Sequence, residues 1–209
     1  MSQMSIEDDA ALRAHIDTWM RETREAMTDF ERTQGSDLIL AARIIAASLQ
    51  RDGQVLVFGN GGSAADAQHM VAEMVGRMLL ERRRPLRAIA LTTDTSALTA
   101  IANDYSYEEV FDMQLRALGR NGDVAVAIST SGNSANVLKA VTSAHQLGMT
   151  VISLTGGDGG ALRAASDVNL NVAKGRHASM IQETHAVAIH LLVDLMDRFL
   201  LDPAWLVRS

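Results

Sequence analysis

Residues Phe58–Arg77 read FGNGGSAADAQHMVAEMVGR, and this stretch decides how the chain is expected to fold. An apolar run, Val55–Phe58, leads into a glycine-rich turn, and a segment with helical periodicity follows the turn. Glycines let a ligand approach the backbone closely, and the free amides at the start of a helix favour an anion. The turn therefore predicts either a phosphate cradle or a plain chain reversal in which Ser63 caps the helix.

The composition bounds the class of protein. The chain has 209 residues, of which 47% are apolar and 21% charged, with a formal net charge of −6 and no cysteine. These values are typical of a globular protein, and the negative charge argues against nucleic acid as a partner. No signal peptide is visible, and no apolar run approaches the ~18 residues of a transmembrane helix. We expect a single domain over 1–209, in the cytoplasm and without a membrane partner. The basic segment Glu81–Arg87 is expected to be a solvated loop rather than an anion site.

Five short apolar runs follow residue 54 and alternate with segments of helix length. The runs are Val55–Phe58, Ala88–Leu91, Val124–Ile128, Val151–Leu154 and Val168–Val172. Runs that are apolar at consecutive positions are typical of strands buried on both faces of a parallel sheet. The pattern predicts a doubly wound α/β domain with a five-stranded parallel sheet, in which ligands bind outside the carboxyl ends of the strands. Residues 1–50 are expected to add two helices, divided at Gly35–Asp37, that pack on the core or on partner subunits.

Polar loops follow several of these runs, at the ends where a ligand is expected. The third run is followed by Ser129-Thr130-Ser131-Gly132-Asn133-Ser134. Hydroxyls and free amides at the start of a helix suit a dianionic phosphate, and the missing Gly-Lys-Ser/Thr element excludes a Walker loop. We therefore predict a phosphate site here in preference to an ordinary serine-rich turn. Thr92–Asp94 and Asn103–Asp104, after the second run, are compatible either with binding sugar hydroxyls or with capping and turn formation.

Two further segments carry candidate catalytic or metal-binding side chains. His69 and Glu73 lie four residues apart, on one face of the helix predicted after the glycine-rich turn. This spacing is compatible with a shared divalent metal, with divided acid and base roles, or with a surface hydrogen bond. The C-terminal stretch predicts a long helix, in which histidines among apolar residues are more often core or interface residues than ligands. Its polar intrusions are Gln182, Glu183, His185 and His190.

Taken in order, these motifs resemble the SIS (sugar isomerase) domain family and, more narrowly, the phosphoheptose (sedoheptulose 7-phosphate) isomerases. The stretches that carry the resemblance are GNGGSAADAQHMVAEMVGR, LTAIANDYSYEEVF, GDVAVAISTSGNSANVLKA, LTGGDGG and IQETHAVAIH. They follow one another between residues 58 and 190, and the predicted N-terminal helices fit as well. Each stretch alone is a weak signal, but their combination in this order is highly specific.

The resemblance implies a flavodoxin-like SIS fold and an aldose–ketose isomerase. It would convert sedoheptulose 7-phosphate to D-glycero-D-manno-heptose 7-phosphate through an enediol, as a homotetramer with active sites at subunit interfaces. The resemblance assigns the phosphate to Ser129, Thr130, Ser131 and Ser134. It assigns the rest of the substrate site to Asn60, Gly61, Gly62, Ser63, Glu73, Asn103, Asp104 and Gln182. It assigns one zinc ion per subunit to His69, Glu73, Gln182 and His190. The catalytic acid–base pair would be Glu73 and His190.

Two features complicate this assignment. Gln182 and His190 are eight residues apart, about 12 Å along a straight helix, so one metal cannot easily bind both from one helix. Either Gln182 lies at or before the start of the helix, or the two ligands come from different subunits, and we favour the second. A zinc-bound carboxylate is also a poorer base, so metal binding and base action by Glu73 belong to different states, or the metal is inhibitory or structural. Met180, where relatives commonly have arginine, and His177 depart from the family pattern.

Two alternatives stay open at this point. A similar branch of the family consists of proteins that bind the bacterial replication initiator and are not known as isomerases. At the positions that match Glu73 and His190, these proteins lack the acidic residue and the imidazole. This chain keeps both residues, which favours an enzyme. The second alternative is an isomerase of another sugar phosphate, because a phosphate loop recognises phosphate and not the length of the sugar.

Overall fold

A five-stranded parallel sheet lies at the centre of the structure, a computed structural model that describes residues 6–79 and 83–201. The strands, in chain order, are β1 (Val55–Gly59), β2 (Ala88–Ala90), β3 (Val124–Ser129), β4 (Thr150–Gly156) and β5 (Val168–Val172). Their order across the sheet is β2-β1-β3-β4-β5, and all neighbouring pairs are parallel. This is the flavodoxin-like order, in which the winding reverses between β1 and β3. The predicted fold class is confirmed.

Helices cover both faces of the sheet. They are α1 (Ile6–Gln50), α2 (Gly62–Val75), α3 (Thr95–Asp104), α4 (Asp112–Leu118), α5 (Ala135–Gln146), α6 (Gly160–Ala164) and α7 (Ala178–Leu201), with a 3₁₀ turn at Tyr107–Glu109. Within β1, Val55 and Val57 pack with α1, α2 and α7, whereas Leu56 and Phe58 pack with α4, α5 and α6. Because successive strand residues point to opposite faces, a run of consecutive apolar residues fills both cores. Among the described residues, no helix is both long and apolar enough to span a bilayer.

The N-terminal region is one helix, so the prediction of two helices divided at Gly35–Asp37 is wrong. Helix α1 continues through 45 residues. A glycine inside a helix costs about 1 kcal/mol relative to alanine, which packing on either side of it readily outweighs. Phe30 and Leu38 are buried in the core, and the Gln34 side chain accepts a hydrogen bond from the backbone of Asn171 in β5 at 3.0 Å. Tertiary contacts therefore hold the helix straight through the glycine.

The basic segment after α2 is not simply a solvated loop. The side chain of Arg83 is 3% exposed and forms an ion pair with Asp197 in α7, which is equally buried. The solvated-loop prediction is therefore wrong for Arg83, although it holds for the exposed Arg84 and Arg87. Glu81 and Arg82 lie outside the described residues. A burial pattern of this kind has no local sequence signal, because the partner of Arg83 lies more than one hundred residues away.

Candidate functional site

The loops that follow β1 and β3 lie side by side, because these strands are neighbours at the point where the winding reverses. The loop Ser129–Ser134, here called the hydroxyl loop, connects β3 to α5. The hydroxyl oxygens of Ser129 and Ser134 lie 3.0 Å apart. Ser134 occupies the N-cap position of α5, but its side chain makes no capping hydrogen bond. Two hydroxyls and the free amides at the start of α5 thus converge, an arrangement that suits an anion.

The hydroxyl loop is braced by the segment that follows β4. Gly132 has a φ of +64°, and a Cβ atom added there would lie 1.9 Å from the carbonyl oxygen of Gly159. The carbonyl of Gly132 accepts a hydrogen bond from Leu162, and the side chain of Asn133 accepts one from the backbone of Ala161 at 3.0 Å. Only glycine therefore fits at position 132, and the loop keeps its shape without a ligand.

An amide pair joins the turn after β1 to the first turn of α5. The side chains of Asn60 and Asn136 each donate to the other, both at 2.9 Å, and the hydroxyl of Tyr107 donates to Asn60 Oδ1 at 3.1 Å. Asn136 is buried, with 4% exposure. Sequence reasoning missed Asn136 and Tyr107. Both residues lie inside the stretches that carry the family resemblance, and this position is the sequence signal that could have identified them.

The turn after β1 starts α2 without a side-chain cap. Gly61 is the N-cap residue, so the alternative in which Ser63 caps the helix is wrong, and Ser63 is buried. A Cβ atom on Gly62 would lie 2.3 Å from the amide nitrogen of Gln182 in α7. Glycine at position 62 therefore allows α7 to bring a side-chain amide directly against the start of α2.

About two turns further along α2, three candidate residues meet. His69 Nε2 lies 3.5 Å from Glu73 Oε1 and 3.2 Å from His190 Nε2. The donor atoms of all three residues lie within 4.8 Å of one another, and His190 is exposed while the other two are half-buried. The two imidazole rings meet at 81°, edge to face. The structure thus brings together residues separated by 121 positions in the sequence, here called the imidazole–carboxylate cluster.

The imidazole–carboxylate cluster fits a divalent metal ion. Two imidazole nitrogens and one carboxylate oxygen form a donor set typical of zinc sites, and three protein ligands leave a position open for water or substrate. Its partial exposure gives an ion access. The cluster can therefore hold a metal, and its histidine–carboxylate pair can also exchange protons directly.

Gln182 does not share the position of His190 along α7. The helix begins at Ala178, so Gln182 is helical, and the less favoured alternative, in which it lies at or before the helix start, is wrong. Its amide lies against Gly62, at the start of α2. Eight helical residues separate it from His190, about 12 Å along the axis. Within one chain, Gln182 therefore faces the glycine-rich turn, while His190 faces His69.

The residues that follow β2 have mixed surroundings. Asp94 caps α3 by accepting a hydrogen bond from the backbone of Ala97, which is the capping role considered for it. Asn103 and Asp104 lie exposed in the last turn of α3, where the Asn103 amide donates to the Asp104 carboxylate at 2.8 Å. Since Tyr107 reaches Asn60 from the next turn, this segment flanks the glycine-rich turn.

Two titratable side chains on α2 and α7 have pKa values that are shifted by burial. Burial raises the pKa of Asp66 to about 6, against the opposing attraction of His69, and its Oδ2 atom has no hydrogen-bond partner among the described residues. Burial lowers the pKa of His185 to about 4, although its Nε2 atom donates to the carbonyl of Thr155 at 3.0 Å. His185 is therefore a neutral core residue, unlike the exposed His190 on the same helix.

Comparisons with known proteins identify a family for this chain. The SIS domain family matches residues 18–156. A phosphoheptose isomerase from Neisseria gonorrhoeae (strain NCCP11945) is 50% identical over 194 residues, which cover 91% of this chain and 98% of that protein. One from Syntrophotalea carbinolica is 44% identical over 189 residues, covering 90% of this chain and 95% of that protein. The chain belongs to the phosphoheptose isomerase family.

A solved structure within this family superimposes on the whole fold. The phosphoheptose isomerase from Neisseria gonorrhoeae has a TM-score of 0.84 at 48% identity, covering 90% of this chain and 99% of that chain. The one from Francisella tularensis has a TM-score of 0.85 at 37% identity, covering 88% and 97%. The chain therefore spans nearly the full length of these phosphoheptose isomerases.

Two positions expected to depart from the phosphoheptose isomerase pattern lie at the start of α7. The side chain of Met180 is buried, with 1% exposure, so it serves packing. His177 stacks on Trp19 of α1, with ring centroids 6.4 Å apart. Trp19 and Thr23 also donate hydrogen bonds to the two carboxylate oxygens of Glu183, at 3.3 and 2.8 Å. Helix α1 thus fixes the first turn of α7, next to Gln182.

Proposed function

We propose that the chain is an aldose–ketose isomerase that converts sedoheptulose 7-phosphate to D-glycero-D-manno-heptose 7-phosphate. The observation that carries the proposal is the approach of the Glu73 carboxylate to the His190 imidazole, from helices far apart in the sequence. Isomerisation of a ketose requires two groups that exchange protons on the same few atoms, and this pair meets that requirement. Membership of the phosphoheptose isomerase family supports the choice of substrate.

The reaction moves hydrogen between C1 and C2 without net oxidation. Glu73 removes a proton from C1 of the ketose while His190 protonates the carbonyl oxygen on C2, which gives an enediol. His190 then removes the proton from the hydroxyl on C1 as Glu73 returns its proton to C2, which gives the aldehyde. Each residue ends in its starting protonation state, so the cycle closes. General acid–base catalysis by a placed pair typically contributes a factor of about 10²–10⁴ to the rate.

The hydroxyl loop would bind the phosphate of the substrate through the hydroxyls of Ser129, Thr130, Ser131 and Ser134. Anchoring a group remote from the reacting carbons supplies binding energy that positions C1 and C2. Asn60–Ser63 and Gln182 would contact the sugar, because they lie beside this loop or against its neighbouring turn. Asn103 and Asp104 are retained as proposed sugar contacts at the flank of the same turn.

His69, Glu73 and His190 would hold zinc, which when bound polarises substrate oxygens and stabilises negative charge on them. Gln182 would join this zinc set only from a second subunit, since within one chain its amide lies against Gly62. We propose that base action by Glu73 belongs to the state in which its carboxylate is not bound to the metal, because a ligated carboxylate is less basic.

A homotetramer with active sites at subunit interfaces is the proposed assembly. Eleven helical residues separate Gly62 from Glu73, about 16 Å along α2, so the hydroxyl loop and the catalytic pair of one chain lie toward opposite ends of that helix. A second subunit would shorten the distance between a phosphate site and a catalytic pair. On α1, Leu12, Ile16 and Met20 form a stripe of large apolar side chains that are about half exposed, which suits burial against another copy.

Proton exchange in deuterated water tests the function most directly. The protein is incubated with sedoheptulose 7-phosphate and, separately, with shorter ketose phosphates, and deuterium at C1 and C2 is followed by NMR together with product formation. We expect exchange and aldose product from the seven-carbon substrate, and much less from a hexose phosphate. Exchange with the shorter sugars alone would show that the enzyme acts on another sugar phosphate. No exchange with any sugar would contradict the proposed isomerase activity. The proposed location is the cytoplasm.

A further inference from the structure

We infer that Arg83 is a positioning residue that holds α2 in register against α7 and thereby keeps the Glu73 side chain facing His190. The inference rests on the proposed function for its catalytic meaning, but its structural basis is independent of the substrate. Arg83 follows α2 and lies in the segment that sequence analysis assigned to a solvated basic loop. It does not touch the reacting groups, and it acts through the backbone of Glu73.

The guanidinium of Arg83 joins the last turn of α2 to α7. Its Nη2 atom donates to the carbonyl of Glu73 at 2.5 Å, and its Nη1 atom donates to the carbonyl of Met74 at 2.6 Å. Its Nε atom donates to Asp197 Oδ2 at 3.0 Å and lies 2.9 Å from Oδ1. All three nitrogens are therefore used, and the residue whose backbone is held is the proposed catalytic base.

These contacts satisfy backbone carbonyls at the C-terminal end of α2. The last carbonyls of a helix lack partners within the helix and carry partial negative charge, and α2 has no basic residue in its own last turn. A cation from the following segment satisfies two of these carbonyls at once. The planar fork of arginine can serve two carbonyls and a carboxylate together, which lysine cannot do.

Helices α2 and α7 run in the same direction and meet at three points. Gly62 lies against Gln182, and His69 contacts His190. At the last turn of α2, the buried ion pair of Arg83 and Asp197 links this end of the helix to α7. A slip of one residue moves a helical side chain by about 1.5 Å along the axis and 100° around it. The 3.2 Å contact between the two imidazoles would not survive such a slip, so the register of the two helices decides whether the imidazole–carboxylate cluster exists.

Apolar packing alone does not fix this register well. The core positions that α2 offers include Met70 and Met74, whose flexible side chains adapt to many neighbours. Apolar contacts are also non-directional, whereas hydrogen bonds to a guanidinium demand particular distances and angles. The ion pair of Arg83 therefore supplies the directional contact at the Glu73 end of the interface.

Variants of the ion pair test the inference. Replacing only Arg83 would leave the carboxylate of Asp197 buried without its partner, a loss that destabilises a fold regardless of catalysis. The double variant Arg83→Met with Asp197→Leu removes both charges, and such apolar replacements of buried pairs are often neutral or stabilising. Arg83→Lys keeps a positive charge next to Asp197 but loses the fork. Arg84→Met is the matched control, because this neighbouring arginine is exposed and, among the described residues, its side chain donates to the carbonyl of Leu49 alone.

Three measurements are made on each full-length variant: thermal unfolding, steady-state kinetics, and titration with Co²⁺ followed by its visible absorption. For the double variant we expect an unchanged KM and a Tm lowered by no more than about 10 °C, because the carbonyl of Glu73 loses its Arg83 donor. We expect kcat to fall about ten- to hundredfold, because small misplacements of a catalytic group have effects of this size. We expect Co²⁺ to bind about tenfold more weakly, with an altered spectrum, since loss of outer contacts weakens metal sites to this extent.

The results separate the inference from the proposed function. A double variant with wild-type kcat and a wild-type Co²⁺ spectrum would overturn the role of Arg83. If the double variant does not fold, Arg83→Lys decides: reduced kcat at unchanged KM supports the role, and full rescue by lysine overturns it. If the wild type does not isomerise the sugar but the Co²⁺ spectrum still changes in the variants, the proposed function fails while the positioning role stands.

Discussion

The hydroxyl loop and the imidazole–carboxylate cluster are built in opposite ways. The loop consists of six consecutive residues, with its shape set by Gly132 and by the neighbouring segment after β4. The cluster takes two residues from α2 and one from α7, and it depends on how these helices lie against each other. Damage to the loop should therefore stay local and affect binding, whereas the cluster should be sensitive both to its own residues and to distant ones that set the helix register.

The largest expected effect comes from the cluster itself. Glu73→Gln and His190→Gln should each lower kcat by about 10²–10⁴, because each removes one member of the proton-exchanging pair. Phosphate binding should persist, since the hydroxyl loop is untouched. Steady-state kinetics and calorimetric titration with inorganic phosphate check both statements. His145→Gln is the control, because this exposed histidine lies on α5 and contacts the carbonyl of Ala165; a normal kcat in Glu73→Gln would remove Glu73 as the base.

A substitution that disturbs the backbone of the hydroxyl loop should destabilise the fold. Gly132→Ala should lower the free energy of unfolding by about 3 kcal/mol, because the new Cβ atom meets a backbone carbonyl in addition to the strain of a positive φ. Gly157→Ala is the matched control, with a φ of +63° and no atom within 4 Å of the new Cβ. It should cost about 1 kcal/mol. Urea unfolding measures both values, and equal losses would show that the segment after β4 does not brace the loop.

A side-chain change in the same loop should affect binding more than turnover. Ser134→Ala removes a hydroxyl that lies 3.0 Å from that of Ser129. A hydrogen bond to a charged group contributes about 1.5–3 kcal/mol, so KM should rise at least about tenfold while kcat changes little. Thr142→Ala, on the same helix but bonded to the carbonyl of Leu138, should leave KM unchanged. A fall in kcat at constant KM would assign Ser134 to the chemical step instead.

The smallest expected effect is the pH dependence that the buried His185 gives to the stability of the fold. The pKa of His185 is lowered to about 4 in the folded protein from an ordinary value of 6.5. Between these pH values, His185 binds a proton in the unfolded chain but not in the folded one. The stability that neutral His185 contributes is therefore fully present above pH 6.5 and is lost as the pH falls toward 4. At pH 5.5 the loss should be on the order of 1 kcal/mol.

The comparison variant is His185→Gln, whose amide can still donate to the carbonyl of Thr155. Unfolding free energies of wild type and variant, measured from pH 7.5 to 5.5, should converge as the pH falls. Parallel pH curves for wild type and His185→Gln would mean that folding does not lower the pKa of His185.

The sequence allowed the loop to be predicted better than the cluster, for a physical reason. Ser129–Ser134 form a single strand-to-helix connection, so hydroxyl content and position could be judged from adjacent residues. His69 and Glu73 could be paired by helical spacing, but His190 could be joined to them only through the family resemblance. The separate place of Gln182 beside Gly62 depends on the direction in which α7 passes α2, which no local pattern encodes.

The errors have the same origin. A glycine, a serine and an aspartate in succession favour a break between helices, yet α1 continues because Phe30 and Leu38 are buried on either side of them. Three arginines in succession favour an exposed loop, yet Arg83 is buried because it pairs with Asp197 on the last helix. In both regions a long-range contact overrides a local preference, as expected when burial outweighs propensity.

The amide pair of Asn60 and Asn136 limits what the edge of the sheet can recognise. The oxygen of Asn60 already accepts from Asn136 and from Tyr107, and one of its N–H groups donates to Asn136. The other N–H has no partner among the described residues, so it is free for the proposed sugar contact, and the pair holds it in one direction. Asn60 can thus offer an incoming molecule a donor but no acceptor. A sugar oxygen with a free lone pair satisfies it, whereas an ammonium group at the same point would be repelled, so an amino-substituted sugar should be rejected there.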